Sequence, residues 1–187
     1  MLEYEKKILL TEKEYRFLLR IFANDVTTIV QRNDYFDTDD FQMNEKGITC
    51  RVRQKGDSFF AVIKKHEPNS HCSNEMVIRE SHMFDPDAFA NMGLRWQGFL
   101  LTERKQIYKD EFYEIVLDYN RYGGTTDYEL EIEYVPELEN QADGFLRRIG
   151  QLLVDKRITD DADAFISRSE HAKSKAERFF NQLQKLK

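Results

Sequence analysis

The chain has 187 residues, 41% of them hydrophobic and 13% aromatic, enough apolar material for one core, so a single domain over residues 1–187 is expected. Its 28 Lys and Arg nearly balance 34 Asp and Glu, leaving a net charge of -6, which argues against the one-signed field of a general nucleic-acid or membrane-surface binder. Two cysteines, Cys50 and Cys72, make neither a disulfide framework nor a structural zinc spacing, and neither a signal peptide nor a membrane span is legible, so a cytoplasmic protein is expected.

Leu2 to Leu10 alternates as a strand. Thr11 and Glu14 form a capping box that opens a helix, with Tyr15, Leu18, Leu19 and Phe22 on one face. Strands follow at about 30–38, 47–54 and 58–65, parted by the turn signals Asn44-Glu45-Lys46-Gly47 and Gly56-Asp57. A fifth strand is expected near 74–83, then a short helix from Asp85-Pro86-Asp87 to Met92. Strands near 99–108 and 112–120 flank Lys109-Asp110-Glu111, and a last one runs from Asp127 to Val135 after the turn Tyr122-Gly123-Gly124, which makes eight. Beyond Pro136 the period lengthens. Leu138, Ala142, Phe145, Ile149 and Leu152, then Ala172, Ala176, Phe179, Leu183 and Leu186, recur every three or four residues, so the C-terminal part is helical.

Charge placement along the strands is the functional signal. Successive strand side chains point to opposite faces, so Glu129, Glu131 and Glu133 share one face, as do Glu3, Glu5 and Lys7 opposite Tyr4, Ile8 and Leu10. Arg51 and Arg53 lie opposite Cys50 and Val52, and Glu114 and Asp118 lie opposite Ile115, Leu117 and Tyr119. Lys64, Glu75 and Arg104 add single charges. Such a sheet either turns its ions to bulk water as a half-exposed acidic surface, or closes with the ions inward and helices over its apolar exterior. The closed solution is an α+β architecture: an eight-stranded antiparallel barrel with helices packed outside. Its interior would suit a multiply charged anion bridged to a hard cation, because carboxylates hold Mg2+ or Mn2+ while Arg and Lys grip phosphate.

The motifs resemble the CYTH superfamily of triphosphate tunnel metalloenzymes, which includes inorganic triphosphatases, thiamine triphosphatases and class IV adenylyl cyclases. The Glu-x-Glu-x-Lys signature stands as Glu3-Tyr4-Glu5-Lys6-Lys7. In order follow Tyr35-Phe36-Asp37-Thr38, Arg51-Val52-Arg53, Ala61-Val62-Ile63-Lys64, Thr102-Glu103-Arg104, Leu117-Asp118, Glu129-Leu130-Glu131 and Ser174-Lys175-Ala176-Glu177-Arg178-Phe179. The resemblance implies that Glu3, Glu5, Glu129 and Glu131 hold metal with Asp118 beside them, and that Glu5, Asp118 and Glu131 are central to catalysis. It implies that Lys7, Arg51, Arg53, Lys64 and Arg104 bind the triphosphate, with Lys175 and Arg178 approaching from a helix. A Lys and Arg three apart on a helix also read as a solvated face. Lys64 and Lys65 are exchanged by a one-residue slip, Glu75 and Glu133 have loosely fixed places, and Thr102 to Lys105 do not alternate cleanly.

Elsewhere the readings are structural. His66, His71 and Cys72 sit near a turn-like Glu67-Pro68-Asn69-Ser70 and read as scattered surface residues; Trp96 and the other aromatics read as packing, with Tyr4, Tyr128 and Tyr134 on apolar faces. No Gly-rich phosphate loop occurs, so side chains must bind any phosphate. Metal-dependent hydrolysis of a small-molecule triphosphate is the favoured activity. The alternatives are cyclic AMP formation from ATP on the same scaffold, for which no adenine pocket can be named, and a non-catalytic polyphosphate or triphosphate-binding module. Monomer and homodimer both remain open.

Overall fold

Alternation of apolar and polar residues along each strand needs two environments, and ring closure of the sheet provides them. A computed structural model of the chain describes residues 2–22, 26–67 and 71–186. Eight strands, β1 (Leu2–Leu10), β2 (Thr27–Asp37), β3 (Ile48–Lys55), β4 (Ser58–His66), β5 (Cys72–Ser81), β6 (Arg95–Lys109), β7 (Tyr113–Tyr122) and β8 (Thr125–Tyr134), pair antiparallel in the closed order β1-β5-β4-β3-β2-β6-β7-β8. The barrel predicted from the strand pattern is therefore the fold. Helices α1 (Glu12–Phe22), α2 (Gln42–Glu45), α3 (Glu139–Asp155), α4 (Ala162–Ser167) and α5 (Lys175–Leu186) complete it.

The outward faces bury themselves in two places. On β1, β7 and β8, Ile8, Leu117, Leu130 and Ile132 pack with Leu18 of α1, with Leu146 and Leu153 of α3 and with Phe165 of α4. On β2, β3 and β4, Phe36, Cys50, Val52 and Ala61 are covered by Phe89 and Leu94 from the β5–β6 connection. The capping box forms as expected: Glu14 N–H donates to Thr11 Oγ1 at 3.2 Å, and Thr11 N–H donates to a Glu14 carboxylate oxygen at 2.7 Å.

Helix α5, the C-terminal helix expected from the sequence, packs against one end of the barrel. Its Ala176, Phe179 and Phe180 pack on Tyr35, Leu100 and Tyr122, which occupy the same strand faces as the interior ions. The barrel interior therefore changes from ionic to apolar along its axis, and α5 closes the apolar end. Phe179 and Phe180 are each 1% exposed, and each contributes on the order of 1.5–3 kcal/mol by burial. Gly98 is the complementary device: a Cβ there would stand 3.0 Å from Phe179 Cζ, and its φ of 138° is one that few other residues adopt.

Several readings need correction. Residues 85–92 form turns ending in a 3-10 turn at Ala90–Met92, because the Asp85 carboxylate accepts from Asp87 N–H at 2.8 Å and also binds Arg79, holding the chain away from a helical path. Strand β6 starts at Arg95, β2 at Thr27 and β8 at Thr125, earlier than the hydrophobic pattern marks. Trp96 is not core: it is 46% exposed, with Nε1 donating to Asp34 at 2.9 Å. The expected turn at Pro68, Asn69 and Ser70 lies outside the described residues. Among the described residues no helix is long and apolar enough to cross a membrane.

Candidate functional site

Cross-strand pairing places the interior ions in rows. Arg104 of β6 stands opposite Asp118 of β7, which stands opposite Glu129 of β8; Lys7 of β1 faces Glu131, and Glu5 faces Glu133, which in turn faces Glu114. On the other wall Arg51 and Arg53 of β3 project inward with Lys64 of β4 and Glu75 of β5. Together these strands enclose a cavity of about 210 Å3 whose lining includes Glu3, Glu5, Lys7, Arg51, Arg53, Lys64, Arg104, Glu131, Glu133 and Lys175. Lys64 lies inside and Lys65 is exposed, which fixes the register left open in the sequence. The irregular segment resolves likewise: Thr102 and Arg104 face in, while Glu103 pairs outside with Arg121 at 2.9 Å.

The ions are interlocked. Lys64 Nζ reaches Glu3 at 2.9 Å and Glu5 at 3.6 Å, Lys7 reaches Glu5 at 2.6 Å, and Arg51 reaches Glu75 at 2.6 Å. Arg104 forks onto Asp118 at 3.0 and 2.8 Å and also contacts Glu131. Burial opposes ionisation of Glu5 and Glu131, but the surrounding cations overcome it, Lys7 and Lys64 for Glu5 and Lys175 and Arg104 for Glu131, so both are held below the usual carboxylate range.

Two groups lack balance, in opposite senses. Glu133 is pushed up to about 7 by burial, which Arg104 only partly offsets, and by the neighbouring charges of Glu131, Glu5 and Glu114. Arg53 is pulled down to about 10 by burial and by Arg51, against the attraction of Glu75. Both are shifted toward their neutral forms, first by burial and then by like charges nearby. Two buried donors nearby have no partner among the described residues, Arg51 Nε and the Tyr35 hydroxyl.

Carboxylate oxygens converge in two groups sharing Glu131: Glu5, Glu131 and Glu133, and Asp118, Glu129 and Glu131, each with ligand atoms within 4.8 Å of one another. Three hard oxygen donors so close together are the chemistry that suits Mg2+ or Mn2+. Glu3 belongs to neither group and turns to Lys64 instead.

Lys175 and Arg178 are not on a solvated helical face. Lys175 contacts Asp118, Glu129 and Glu131, while Arg178 binds Asp127 at 2.9 Å and Glu129 at 2.8 Å. Their charges are directed at carboxylates, where the sequence reading expected them to meet phosphate. His66 is likewise no scattered surface residue. Its Nδ1 lies 2.8 Å from Ser73 Oγ, and its ring lines both the central cavity and an adjoining one of about 580 Å3 that also contains His71. Sequence reasoning missed Gln31, Asn33 and Thr49 as lining residues, although Thr49 is in phase with Arg51 and Arg53, a signal that was available.

With this geometry in place, similarity to known proteins can be stated. The CYTH domain family model matches residues 1–156. YjbK of Bacillus subtilis strain 168, provisionally named a triphosphatase, is 30% identical over 152 residues, covering 71% of this chain and 77% of that protein. The crystal structure of bh2851 from Bacillus halodurans, provisionally named an adenylate cyclase, superposes with a TM-score of 0.64 at 24% identity, covering 95% of this chain and 97% of the other. HpAC1 from Hippeastrum, for which a dominant triphosphatase activity is stated, has a TM-score of 0.54 at 19% identity, covering 79% and 88%.

Proposed function

The chain belongs to the CYTH domain family, and from that premise we propose that it is a metal-dependent hydrolase acting on a triphosphate held inside the barrel. The observation that carries the reading is a single cavity lined by both a carboxylate set, Glu5, Glu131 and Glu133, and a cation set, Lys7, Arg51, Arg53 and Lys64. A lone anion would be repelled by the carboxylates and a lone cation by the guanidinium groups. A metal-bound polyphosphate answers both.

In this reading Glu5, Glu131 and Glu133 hold the metal, with Asp118 and Glu129 supporting Glu131. A divalent ion held there would supply the Lewis acidity that makes water nucleophilic near neutral pH. Arg51, Arg53, Lys64 and Lys7 bind the phosphate oxygens and neutralise charge that builds on the departing group, while Arg104 fixes Glu131 in position. The Arg51 and Glu131 side chains are 9% and 4% exposed, so bulk water screens their charges little.

The cavity favours an inorganic triphosphate over a nucleotide. Among the described residues no Phe, Tyr or Trp side chain lines it, and the small imidazole of His66, held by Ser73, is the one aromatic ring it offers a base. Purified protein given inorganic triphosphate with Mg2+ or Mn2+ is expected to release orthophosphate, and Glu5→Gln or Glu131→Gln to abolish the release. Unchanged turnover in both variants would refute the assignment. Formation of cyclic AMP from ATP at a rate comparable to phosphate release would favour the cyclase reading, and tight triphosphate binding without turnover in either metal would favour a binding module.

A further inference from the structure

We infer that the Lys175 ammonium is a resident cation that fills the group formed by Asp118, Glu129 and Glu131, leaving Glu5, Glu131 and Glu133 to take a single divalent ion. The inference rests on the metal-dependent reading above and adds to it how many ions bind and where.

Nζ lies 3.0 Å from Asp118, 2.7 Å from Glu129 and 2.6 Å from Glu131. The ammonium donates a hydrogen bond to Glu131 and forms ion pairs with Asp118 and Glu129, so its charge is directed at three carboxylates and away from the phosphate side of the cavity. The local charges nearly cancel. Four carboxylates, Asp118, Glu129, Glu131 and Asp127, meet three cations, Lys175 from α5, Arg104 on Asp118 and Glu131, and Arg178 on Glu129 and Asp127. A divalent ion in the same place would leave positive charge in surplus or expel Nζ, and a buried charge without its partner is strongly unfavourable.

The anchoring of α5 makes expulsion harder. Lys175 is the first residue of that helix, Ser174 Oγ accepts from Glu177 N–H at 3.1 Å, and Phe179 and Phe180 are locked among Tyr35, Phe41 and Tyr122. Among the described residues no single cation bridges all three members of the other group: Lys7 and Lys64 pair with its Glu5, at 2.6 and 3.6 Å, and not with Glu131 or Glu133. Among the described residues only Arg104 comes within ion-pair range of Glu133, at 3.7 Å, and its guanidinium is already engaged with Asp118 and Glu131.

The test counts ions on the full chain without substrate, titrating Mn2+ and following the resonance signal of the free ion. One bound ion per chain is expected for the native protein, two for Lys175→Met, and one again for Lys175→Met combined with Asp118→Asn. Two ions in the native protein, or still one in a folded Lys175→Met variant, would overturn the inference. Absence of binding in every form would sink the metal reading itself and the inference with it. Should Lys175→Met fail to fold by circular dichroism, Asp118→Asn alone decides: the Mn2+ Kd is expected to stay within about threefold of native, and a weakening of about tenfold or more would make Asp118 a ligand and overturn the inference.

Discussion

Arg51→Met separates the structural work of an interior cation from its work on substrate. Arg51 and Glu75 are paired at 2.6 Å with side chains only 9% and 11% exposed. Removing one partner of a buried pair costs about 3–5 kcal/mol, and the lower end applies here because Arg53, at 3.8 Å, still faces Glu75. Replacing both partners, in Arg51→Met with Glu75→Gln, removes the stranded charge, so stability measured by urea denaturation should return to within about 1 kcal/mol of native. Activity should not return. Two charge-assisted hydrogen bonds to phosphate at about 1.5 kcal/mol each are worth roughly 3 kcal/mol, or about 150-fold in kcat/KM. Phosphate release by the double variant within about threefold of native would show that Arg51 serves only to hold Glu75, and the substrate role would be withdrawn.

Glu14, 2% exposed, has its pKa held below the ordinary 4.5 because Arg168 and the Thr11 N–H outweigh the effect of burial. Its contribution is therefore complete above pH 4.5 and lost as pH falls through the depressed value, so Glu14→Gln should destabilise at neutral pH and match native at strongly acid pH, read by urea midpoints across pH. Phe179→Ala should cost about 3–5 kcal/mol, and Gly98→Ala should be destabilising alone but less so in that background, because the contact at 3.0 Å disappears; thermal unfolding of the four proteins measures this coupling. Chelation of divalent metal should abolish phosphate release, and Mg2+ or Mn2+ at a hundredfold excess over its Kd should raise unfolding stability by about 2.7 kcal/mol.

The strand pattern made much of the barrel readable because one local rule, alternation, acts at every strand position. It placed Glu5, Arg51, Arg53, Asp118 and Glu131 on the interior side, where they line the cavity or lie buried. Periodicity could not say which cation meets which anion, since pairing depends on distances across strands far apart in the chain: Lys64 and Glu3 are 61 residues apart, and Lys175 and Glu131 are 44 apart. Lys175 and Arg178 looked like a solvated helical face because a helix entering a barrel end obeys the same spacing as one lying on a surface. Trp96 read as packing because size and apolarity say nothing about an exposed ring whose Nε1 is satisfied by the buried Asp34. The absent helix at 85–92 shows local side-chain to backbone bonding from Asp85 outcompeting a favourable start signal.

Ring closure also governs how this molecule can change over time. Here every strand has two neighbours, so a single-residue length change within one would swap its ionic and apolar sides and put it out of register with both. Length variation should therefore be confined to connections such as Asn44–Gly47 and the Gly56 turn, or to the irregularities between Tyr35 and Phe36, Ala61 and Val62, and Gln106 and Tyr108. Composition within the strands is free to drift; their lengths are not.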